Sequence, residues 1–322
     1  MKKDEVCKVF FEDNERVADL LNLYTKEGEA VSADDIHEVD SGLIYKIRNG
    51  LSWKRISKSR DIVRKVVFNT TFIIADIEPQ DNIDYSYPLR DLCYIYGEYE
   101  KQARSIRRNF RKHPQGLSAG EKLYSFSKNS KLNPTVIILL YSGEEKWDGP
   151  TQLWDMLNMD GVPEGLKKLV MNHRIHMIDI RRLQKETFRQ FKTDVGKVFE
   201  FISSSNSKDE IDNLLSREDY FKNTPEDAYE LMNSFANISR DINKTEYIND
   251  DGGYDMCKAF EDHYESGRKI GYDQGFDQGI SQGKETILLA QIKDGEITIE
   301  SAARRLEMSP DEFVKKYKLP IC

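Results

Sequence analysis

Three polar side chains occupy alternate positions at the end of an apolar segment. Asp76, Glu78 and Gln80 close the run TFIIADIEPQ, whose other residues are mostly β-branched or apolar. Because side chains alternate between the two faces of a strand, these three would share one face. Carboxylate oxygens are ligands that hard divalent cations prefer, so one interpretation is a metal site. The other is a strand end that runs out into solvent, and the pattern alone favours neither.

Asp61 opens the apolar run that precedes this segment. The runs 61–68 and 71–78 flank a short Asn-Thr turn, which predicts a β-hairpin. We expect this hairpin to bring Asp61 near the polar strand end only if its strands are offset or bent. One carboxylate, a gap and then Glu-x-Gln is a spacing compatible with a divalent-metal site.

Two basic segments of the sequence bracket the carboxylates Asp76 and Glu78. The second lies at the end of a helix predicted from Pro88 to about Lys112, and its arginines follow the spacing i, i+3, i+4, i+7 of one helix face. They are Arg104, Arg107, Arg108 and Arg111. The first contains Lys46, Arg48, Lys54, Arg55, Lys58, Arg60, Arg64 and Lys65. A charge run is usually a solvated face, but positive flanks on both sides of a carboxylate site favour a polyanion such as DNA.

Composition restricts the class of protein. The chain has 322 residues, of which 32% are charged, and a net charge of −8, which argues against non-specific binding of nucleic acid by the protein as a whole. Its four cysteines are scattered without a CxxC pair, so we expect thiols in a reducing compartment rather than a zinc site. No apolar run approaches membrane-spanning length, which predicts a soluble, cytoplasmic protein that does not bind a membrane.

The order of predicted elements indicates an α/β fold. The continuously apolar segment 134–141, PTVIILLY, is typical of a strand covered on both faces, and residues 174–180 alternate as another strand. With the hairpin and the helix after Pro88, they predict a mixed central sheet flanked by helices, spanning residues 1–205. His173 and His176 flank the later strand, but we expect them on opposite faces and not as a metal pair.

The remainder of the chain is predicted to be all-helical. We divide it into a helical extension (206–250), a glycine-repeat helix (251–290) and a small helix-turn-helix-like tail (291–322). In the second part a glycine recurs at every fourth position, and small residues on one stripe permit close approach of another helix. We interpret this helix as a site of homo-oligomerisation, with a flexible linker as the alternative. The tail could enter a DNA groove or contact protein.

Several motifs in this order resemble the recombination-promoting nuclease / putative transposase family of the PD-(D/E)XK nuclease superfamily. They are the opening DEVCKVFFEDNE, the strand RDIVRKV, the signature IEPQ, the helix YPLRDLCYIYGEY, the segment VIILLYSGEEKWDGP and the glycine-rich tail after DMCKAFED. The resemblance covers most of the chain. It implies a restriction-endonuclease-like fold for the first domain.

The resemblance also implies roles for individual residues. Asp61 and Glu78 would ligate Mg²⁺, or Mn²⁺ in its place, with the Pro79 carbonyl as a further ligand. Gln80 stands where many members of the superfamily have lysine, and it would orient water or contact the scissile phosphate without supplying charge. Asp4 matches the acid of the first helix and would assist catalysis.

These observations predict a Mg²⁺-dependent DNA endonuclease associated with recombination or mobile elements. Hydrolysis of a phosphodiester would then use Asp61 and Glu78 as ligands, with the arginines of the helix after Pro88 contacting the DNA backbone. One alternative is a nuclease scaffold that has lost catalysis and acts as an oligomerising DNA- or protein-binding module. Another is a module that contacts only protein, which the acidic composition and the glycine-repeat helix would suit.

Overall fold

Seven strands form two sheets in the described part of the chain. The computed structural model describes residues 3–26, 29–39, 42–49, 52–59, 62–68, 71–112, 118–235 and 244–318. The strands are β1 Ile36–Glu38, β2 Gly42–Asn49, β3 Ser52–Ser59, β4 Ile62–Phe68, β5 Thr71–Gln80, β6 Thr135–Tyr141 and β7 His176–Asp179. The main sheet has the order β1-β4-β5-β6-β7, and β2 and β3 form a separate antiparallel pair.

The predicted hairpin is the centre of the main sheet. Strands β4 and β5 pair antiparallel from Ile62↔Ile77 to Phe68↔Thr71, and the ladder is regular over this length, without an offset. Strand β5 then pairs parallel to β6, with Glu78 opposite Leu139. The sheet is therefore mixed, as predicted. Asp61 lies outside the described residues.

Both faces of the sheet are covered. Helix α3, Tyr87–Lys112, lies over one face, where Tyr87 packs with Leu139 and Tyr141 of β6. Ile138 and Leu140 point to the other face because side chains alternate along a strand, and they are buried there as well. The continuous apolar run of β6 therefore has the burial that its sequence predicts.

Helices account for most of the remaining described residues. Besides α3 they are α1 Lys3–Phe10, α2 Asn14–Asn22, α4 Ala119–Tyr124, α5 Glu164–Lys167, α6 Lys185–Phe188, α7 Val195–Ser204, α8 Lys208–Arg217, α9 Glu226–Phe235, α10 Met256–Lys293, α11 Ile299–Arg305 and α12 Pro310–Tyr317. Among the described helices, none is both long enough and apolar enough to cross a membrane.

Residues 4–24 form two helices that are separated near Asp13, which is one of the two arrangements that their apolar spacing allows. Asp13 interrupts them: its backbone is extended and its side chain accepts a hydrogen bond from the Glu15 amide at 2.8 Å, which caps α2. A later segment is also divided between two helices. Residues 184–203 do not form one helix, because α6 ends at Phe188 and α7 begins only at Val195.

The chain divides into two compact units, Met1–Met256 and Cys257–Cys322. The first contains the main sheet and helices α1 to α9, with α9 packed on α1 and α7. The second contains nearly all of α10 together with α11 and α12. Its core consists of Leu288, Ala302, Ala303 and Phe313. The predicted α/β fold with a mixed central sheet, flanking helices and a helical C-terminal region is thus confirmed.

Candidate active site at the end of strand β5

The two carboxylates of β5 lie inside the protein. Asp76 is 0% exposed and Glu78 is 5% exposed, so this strand does not run out into solvent at either residue. Both point to the face covered by α3, because their partners across the parallel ladder, Ile137 and Leu139, pack against that helix. Charge placed in such surroundings needs compensation by hydrogen bonds, cations or protonation. The burial therefore favours a specific role for these acids over an unstructured strand end.

Gln80 is held by the first turns of α3. Its Oε1 accepts a hydrogen bond from Arg90 Nη2 at 2.9 Å, and its Nε2 donates to the Asn82 carbonyl at 2.8 Å. Arg90 also forms an ion pair with Asp84 at 3.0 Å and lies 4.6 Å from the centre of the Tyr87 ring. The amide is consequently fixed in orientation, and a guanidinium stands beside it.

Arg90 is a functional candidate that the sequence motifs did not identify. It supplies positive charge next to the position where Gln80 cannot. One signal was available, because Arg90 is the first lysine or arginine after Gln80 in the chain. Its pairing with Gln80, however, depends on how α3 returns over β5.

Tyr87 lies close enough to the charged groups of β5 and α3 to interact with them electrostatically. Its ring is fully buried, and burial, followed by the charges of Asp91, Glu78 and Asp76, raises the pKa of its hydroxyl, while Arg90 opposes this shift. A phenol kept neutral at this position can donate a hydrogen bond to a neighbouring anion. Among the described residues the Tyr87 hydroxyl has no hydrogen-bond partner.

Asp91 forms a buried pair with His173. The carboxylate is 1% exposed, and its Oδ2 lies 2.6 Å from His173 Nε2. Burial raises the pKa of Asp91, and the hydrogen bond and charge of His173 act in the opposite direction. The sequence suggested no partner for His173 and only set it aside as a metal ligand together with His176. The structure shows that its partner comes from α3.

The other predicted ligands are described only in part. Pro79 is buried within β5. Asp4 belongs to α1, but its side chain, like the whole of Asp61, lies outside what the structure describes. Among the described side chains, no group of three or more His, Cys, Asp or Glu could hold a metal ion. The hard oxygen donors of β5 nevertheless suit Mg²⁺, which needs only one or two protein carboxylates.

A small cavity opens beyond the end of β5 and β6. It has a volume of about 300 Å³ and is lined in part by Asp81, Gly143, Glu144 and Arg181. Lys3 of α1 also lines it and forms an ion pair with Asp81 at 3.2 Å. Binding sites in open α/β sheets are commonly found in the crevice beyond the carboxyl ends of the strands. The residues that directly follow Gln80, Asp81 and Asn82, therefore line an accessible space.

The predicted arginine face of α3 lies far from these carboxylates. Tyr99 and Gln102 of α3 contact Thr135 and Asn133 at the start of β6, whereas Glu78 pairs near its end. With a rise of about 1.5 Å per residue, Arg104 is roughly 26 Å along the helix from Tyr87. The arginines thus begin at the opposite end of the sheet from Gln80.

Within that face the four arginines differ in their contacts. Glu100 pairs with Arg104 at 3.5 Å and with Arg107 at 3.4 Å. Arg108 and Arg111 are exposed. Their separation of one turn places two positive charges on the outer surface of α3, where a phosphate backbone could reach them.

The first basic segment is not a continuous surface. Arg64 is 8% exposed, and its guanidinium donates to the Phe11 carbonyl at 2.9 Å and to Asn14 Oδ1 at 3.3 Å. It therefore joins β4 to the loop between α1 and α2, and its assignment to a basic surface was wrong. Lys65 is half-buried. The other side chains of this segment lie outside the described part of the chain.

A model of a known protein family matches part of the chain. Residues 85–215, less than half of the chain, match a family model described as a putative transposase, YhgA-like. The match begins just after Gln80 and includes Arg90, Asp91, His173 and the arginine face. No curated protein and no solved structure matches the chain. Over residues 85–215 the chain is therefore similar to the YhgA-like putative transposases, which agrees with the transposase part of the resemblance that its motifs predicted.

Proposed function

We propose that this protein is a Mg²⁺-dependent DNA endonuclease of the PD-(D/E)XK type that serves recombination or mobile elements. The observation that carries the proposal is the end of β5, where the buried Glu78 precedes a glutamine that Arg90 holds at 2.9 Å. The family match adds that similar proteins are described as putative transposases, a description that refers to mobile DNA. DNA is accordingly the substrate that we assign.

The proposed site would hold the cation through oxygen atoms. Glu78, Asp61 and the Pro79 carbonyl are the assigned ligands, and Asp4 is assigned as an assisting acid. Bound Mg²⁺, or Mn²⁺ in its place, lowers the pKa of a water molecule and offsets charge on the phosphate. The remaining tasks fall to the protein's own side chains.

Positioning and charge stabilisation are assigned to Gln80 and Arg90. The Gln80 carboxamide is fixed from both ends, by Arg90 and by the Asn82 carbonyl. It can orient an attacking water or a phosphate oxygen without losing rotamer freedom at that moment. The guanidinium provides positive charge next to the reacting phosphate, as a lysine would, and stabilises charge that develops in the transition state.

The DNA backbone would extend from this site toward the other end of α3. A separation of roughly 26 Å corresponds to about eight base pairs of duplex at 3.4 Å each. Arg108 and Arg111 are exposed farther along α3, about 32 and 36 Å from Tyr87, and are assigned to phosphate contacts. Arg104 and Arg107 would be shared between DNA and Glu100. Such contacts would give an affinity that falls with salt.

Cleavage of supercoiled plasmid tests the proposal. We expect Mg²⁺- or Mn²⁺-dependent nicking or linearisation that chelator abolishes, and a loss of about a hundred-fold or more in Glu78→Gln. Asp61→Ala should show the same loss. Glu186→Gln, at an exposed position of α6, is the matched control and should remain active. Equal rates in Glu78→Gln and wild type, with both proteins folded by circular dichroism, would remove the assignment.

One observation favours a second candidate function. Both ends of the Gln80 amide are bonded within the protein, so the residue at the usual lysine position is already occupied. A nuclease scaffold that binds DNA or protein without cutting does not need a catalytic side chain at this position, so a glutamine bonded within the protein is sufficient there. Folded protein that binds plasmid with salt-dependent affinity, yet leaves it uncut in Mg²⁺ and Mn²⁺, would support that function.

A further inference from the structure

A second, larger cavity lies beside α3. It has a volume of about 950 Å³ and is bounded by α3, by the start of β6 and by the segment that leads into β7. We call it the α3–β7 cavity. Its helix wall includes Cys93, Tyr96 and Tyr99, and its lining surface is mostly apolar. A volume of this size accommodates a small aromatic ligand rather than a few water molecules.

Aromatic side chains give this wall a specific chemistry. Tyr96 lines the cavity and is 56% exposed, so part of its side chain is accessible to solvent. Tyr99 is held in place because its hydroxyl accepts a hydrogen bond from the Thr135 amide at 3.4 Å. An exposed tyrosine ring at the edge of an apolar space is a favourable surface for stacking of a planar ring.

The opposite wall carries a fixed polar group. His173 lines the cavity, and its Nε2 is bonded to Asp91 at 2.6 Å. The second ring nitrogen, Nδ1, forms no hydrogen bond with any described residue. An imidazole whose orientation is set by a buried carboxylate can present its other nitrogen to a ligand without reorganisation.

The same wall carries a cation. Arg174 lines the cavity, is exposed, and makes no ion pair with a described residue. The described lining contains one carboxylate, that of Asp91, which is already bonded to His173. The protein as a whole has a net charge of −8, but in this lining the Arg174 cation is not offset by a second carboxylate. The local charge therefore favours an anionic ligand.

We propose that the α3–β7 cavity binds one unpaired nucleotide. The base would stack on the ring of Tyr96, with His173 Nδ1 as its polar contact, and the phosphate would face Arg174. Aromatic stacking combined with a nearby cation is the general means by which proteins hold single-stranded nucleotides. An apolar ligand would leave Arg174 and His173 unused, and a free phosphate would leave the tyrosine wall unused.

The position of the cavity connects it to the proposed reaction. Asp91 lies one helical turn, about 6 Å, beyond Tyr87. The charge of Glu78 contributes to the raised pKa of the Tyr87 hydroxyl. This inference rests on the proposed function in taking the nucleotide to belong to the DNA that is cut. It adds a substrate class, namely DNA with an unpaired nucleotide near the scissile phosphate.

Fluorescence of 2-aminopurine deoxyribonucleoside 5′-monophosphate tests the cavity directly. Titrated with full-length protein in chelator, the probe should be quenched with saturation, because stacking on tyrosine quenches it. Tyr96→Ala should weaken binding by about ten-fold, for both the monophosphate and the nucleoside without phosphate. Arg174→Gln should weaken only the monophosphate, by about five-fold or more. This split distinguishes direct contact from a general structural effect.

Two exposed residues away from the cavity serve as matched controls. Tyr124→Ala on α4 and Arg189→Gln beyond α6 should bind both probes like wild type. Cys93→Phe, which fills the helix wall, should abolish binding, and thermal melting should show that it is folded. Absence of saturable quenching in wild type, or equal binding by Tyr96→Ala and wild type, would overturn the inference.

The test of nucleotide binding and the test of the proposed endonuclease function can fail independently of each other. Nucleotide binding is measured without metal and without cleavage. If the protein binds the probe but never cuts plasmid, the inference about the cavity is supported and the proposed endonuclease function is contradicted. If the protein cuts plasmid but does not quench the probe, the proposed endonuclease function is supported and the inference about the cavity is contradicted.

Discussion

At the scale of single residues, Glu78 and Gln80 form part of a larger polar network. Gln80 is fixed by Arg90, Arg90 is fixed by Asp84, and Tyr87 lies under the guanidinium. A glutamine at this position contributes no net charge by itself. In combination with Arg90 it offers both a hydrogen-bonding amide and a cation, which is the pair of properties that a phosphate requires.

Substitution of Arg90 tests whether this network acts in catalysis. We expect Arg90→Gln to lower the plasmid cleavage rate by about ten-fold or more, because the cation is lost and Gln80 Oε1 loses its donor. Arg90→Lys should recover only part of the rate, since an ammonium keeps the charge but not the planar fork of donors. Full activity of Arg90→Gln would show that the guanidinium only packs on Tyr87. Arg189→Gln controls for loss of one surface charge.

Residue patterns predicted the carboxylates but not their partners. Alternation along one strand is enough to place Asp76 and Glu78 on a common face. Gln80 and Arg90 are ten positions apart, and Asp91 and His173 are 82 apart. Such pairs depend on the path of α3 over the sheet and on the loop before β7, which no local period encodes.

At the scale of elements, local signals were reliable where a capping or turn residue was present. The hairpin of β4 and β5 and the break between α1 and α2 at Asp13 follow from such signals. Predictions that relied on charge alone were less reliable. Arg64 lies in an apparent basic run but is buried, and its guanidinium donates to the Phe11 carbonyl of the α1–α2 loop and to the Val63 carbonyl of β4.

Arg16 joins elements that are distant in sequence. Its guanidinium donates to Asp194 at 2.8 and 2.9 Å, to Asp227 of α9 and to the Phe10 carbonyl at 3.0 Å. The Tyr220 hydroxyl also donates to Asp194, at 2.7 Å. Despite the cost of burial, these hydrogen bonds and charges raise the pKa of Arg16. The arginine thus anchors α2 to the helices that follow the sheet.

We expect Arg16→Met to destabilise the protein by about 3 kcal/mol in urea unfolding. Removing the cation leaves two carboxylates in poorly hydrated surroundings, and breaking a buried pair costs about 3–5 kcal/mol. We expect the lower end of this free-energy range because the Asp227 side chain is 27% exposed and stays partly hydrated. Arg217→Met, which breaks an exposed pair with Glu200 at 2.9 Å, should cost at most about 1 kcal/mol. Similar losses in the two variants would contradict an anchoring role for Arg16.

At the scale of the whole molecule, the second unit presents a long exposed helix face. Tyr272, Phe276 and Ile280 are 71%, 58% and 42% exposed, and the rings of the first two stack at 6.2 Å. A β-carbon added to the glycine that precedes each of them would meet no described atom within 4 Å. Packing within the described chain therefore does not require these glycines. Homo-oligomerisation through this face remains our proposal for them.

Gly275→Ala separates the two interpretations of the glycine repeat. If α10 is only a linker, alanine should stabilise the helix by about 0.5–1 kcal/mol and leave the mass of the protein unchanged. If glycine allows a second copy of the helix to approach closely, the same methyl group should weaken association while raising the helicity of the monomer. We expect the second result, measured as a lower mass by light scattering together with circular dichroism at matched concentration.

The control for this change lies two residues further along the same helix. Position 277 is about 200° around the helix from position 275, so Asp277→Ala adds helix propensity on the far side from the glycine face. It should raise helicity without changing mass. An unchanged mass in Gly275→Ala, alongside raised helicity in both variants, would exclude association through the glycine face. The same measurement on Phe276→Ser would then show whether the exposed aromatic residues, rather than the glycines, hold copies together.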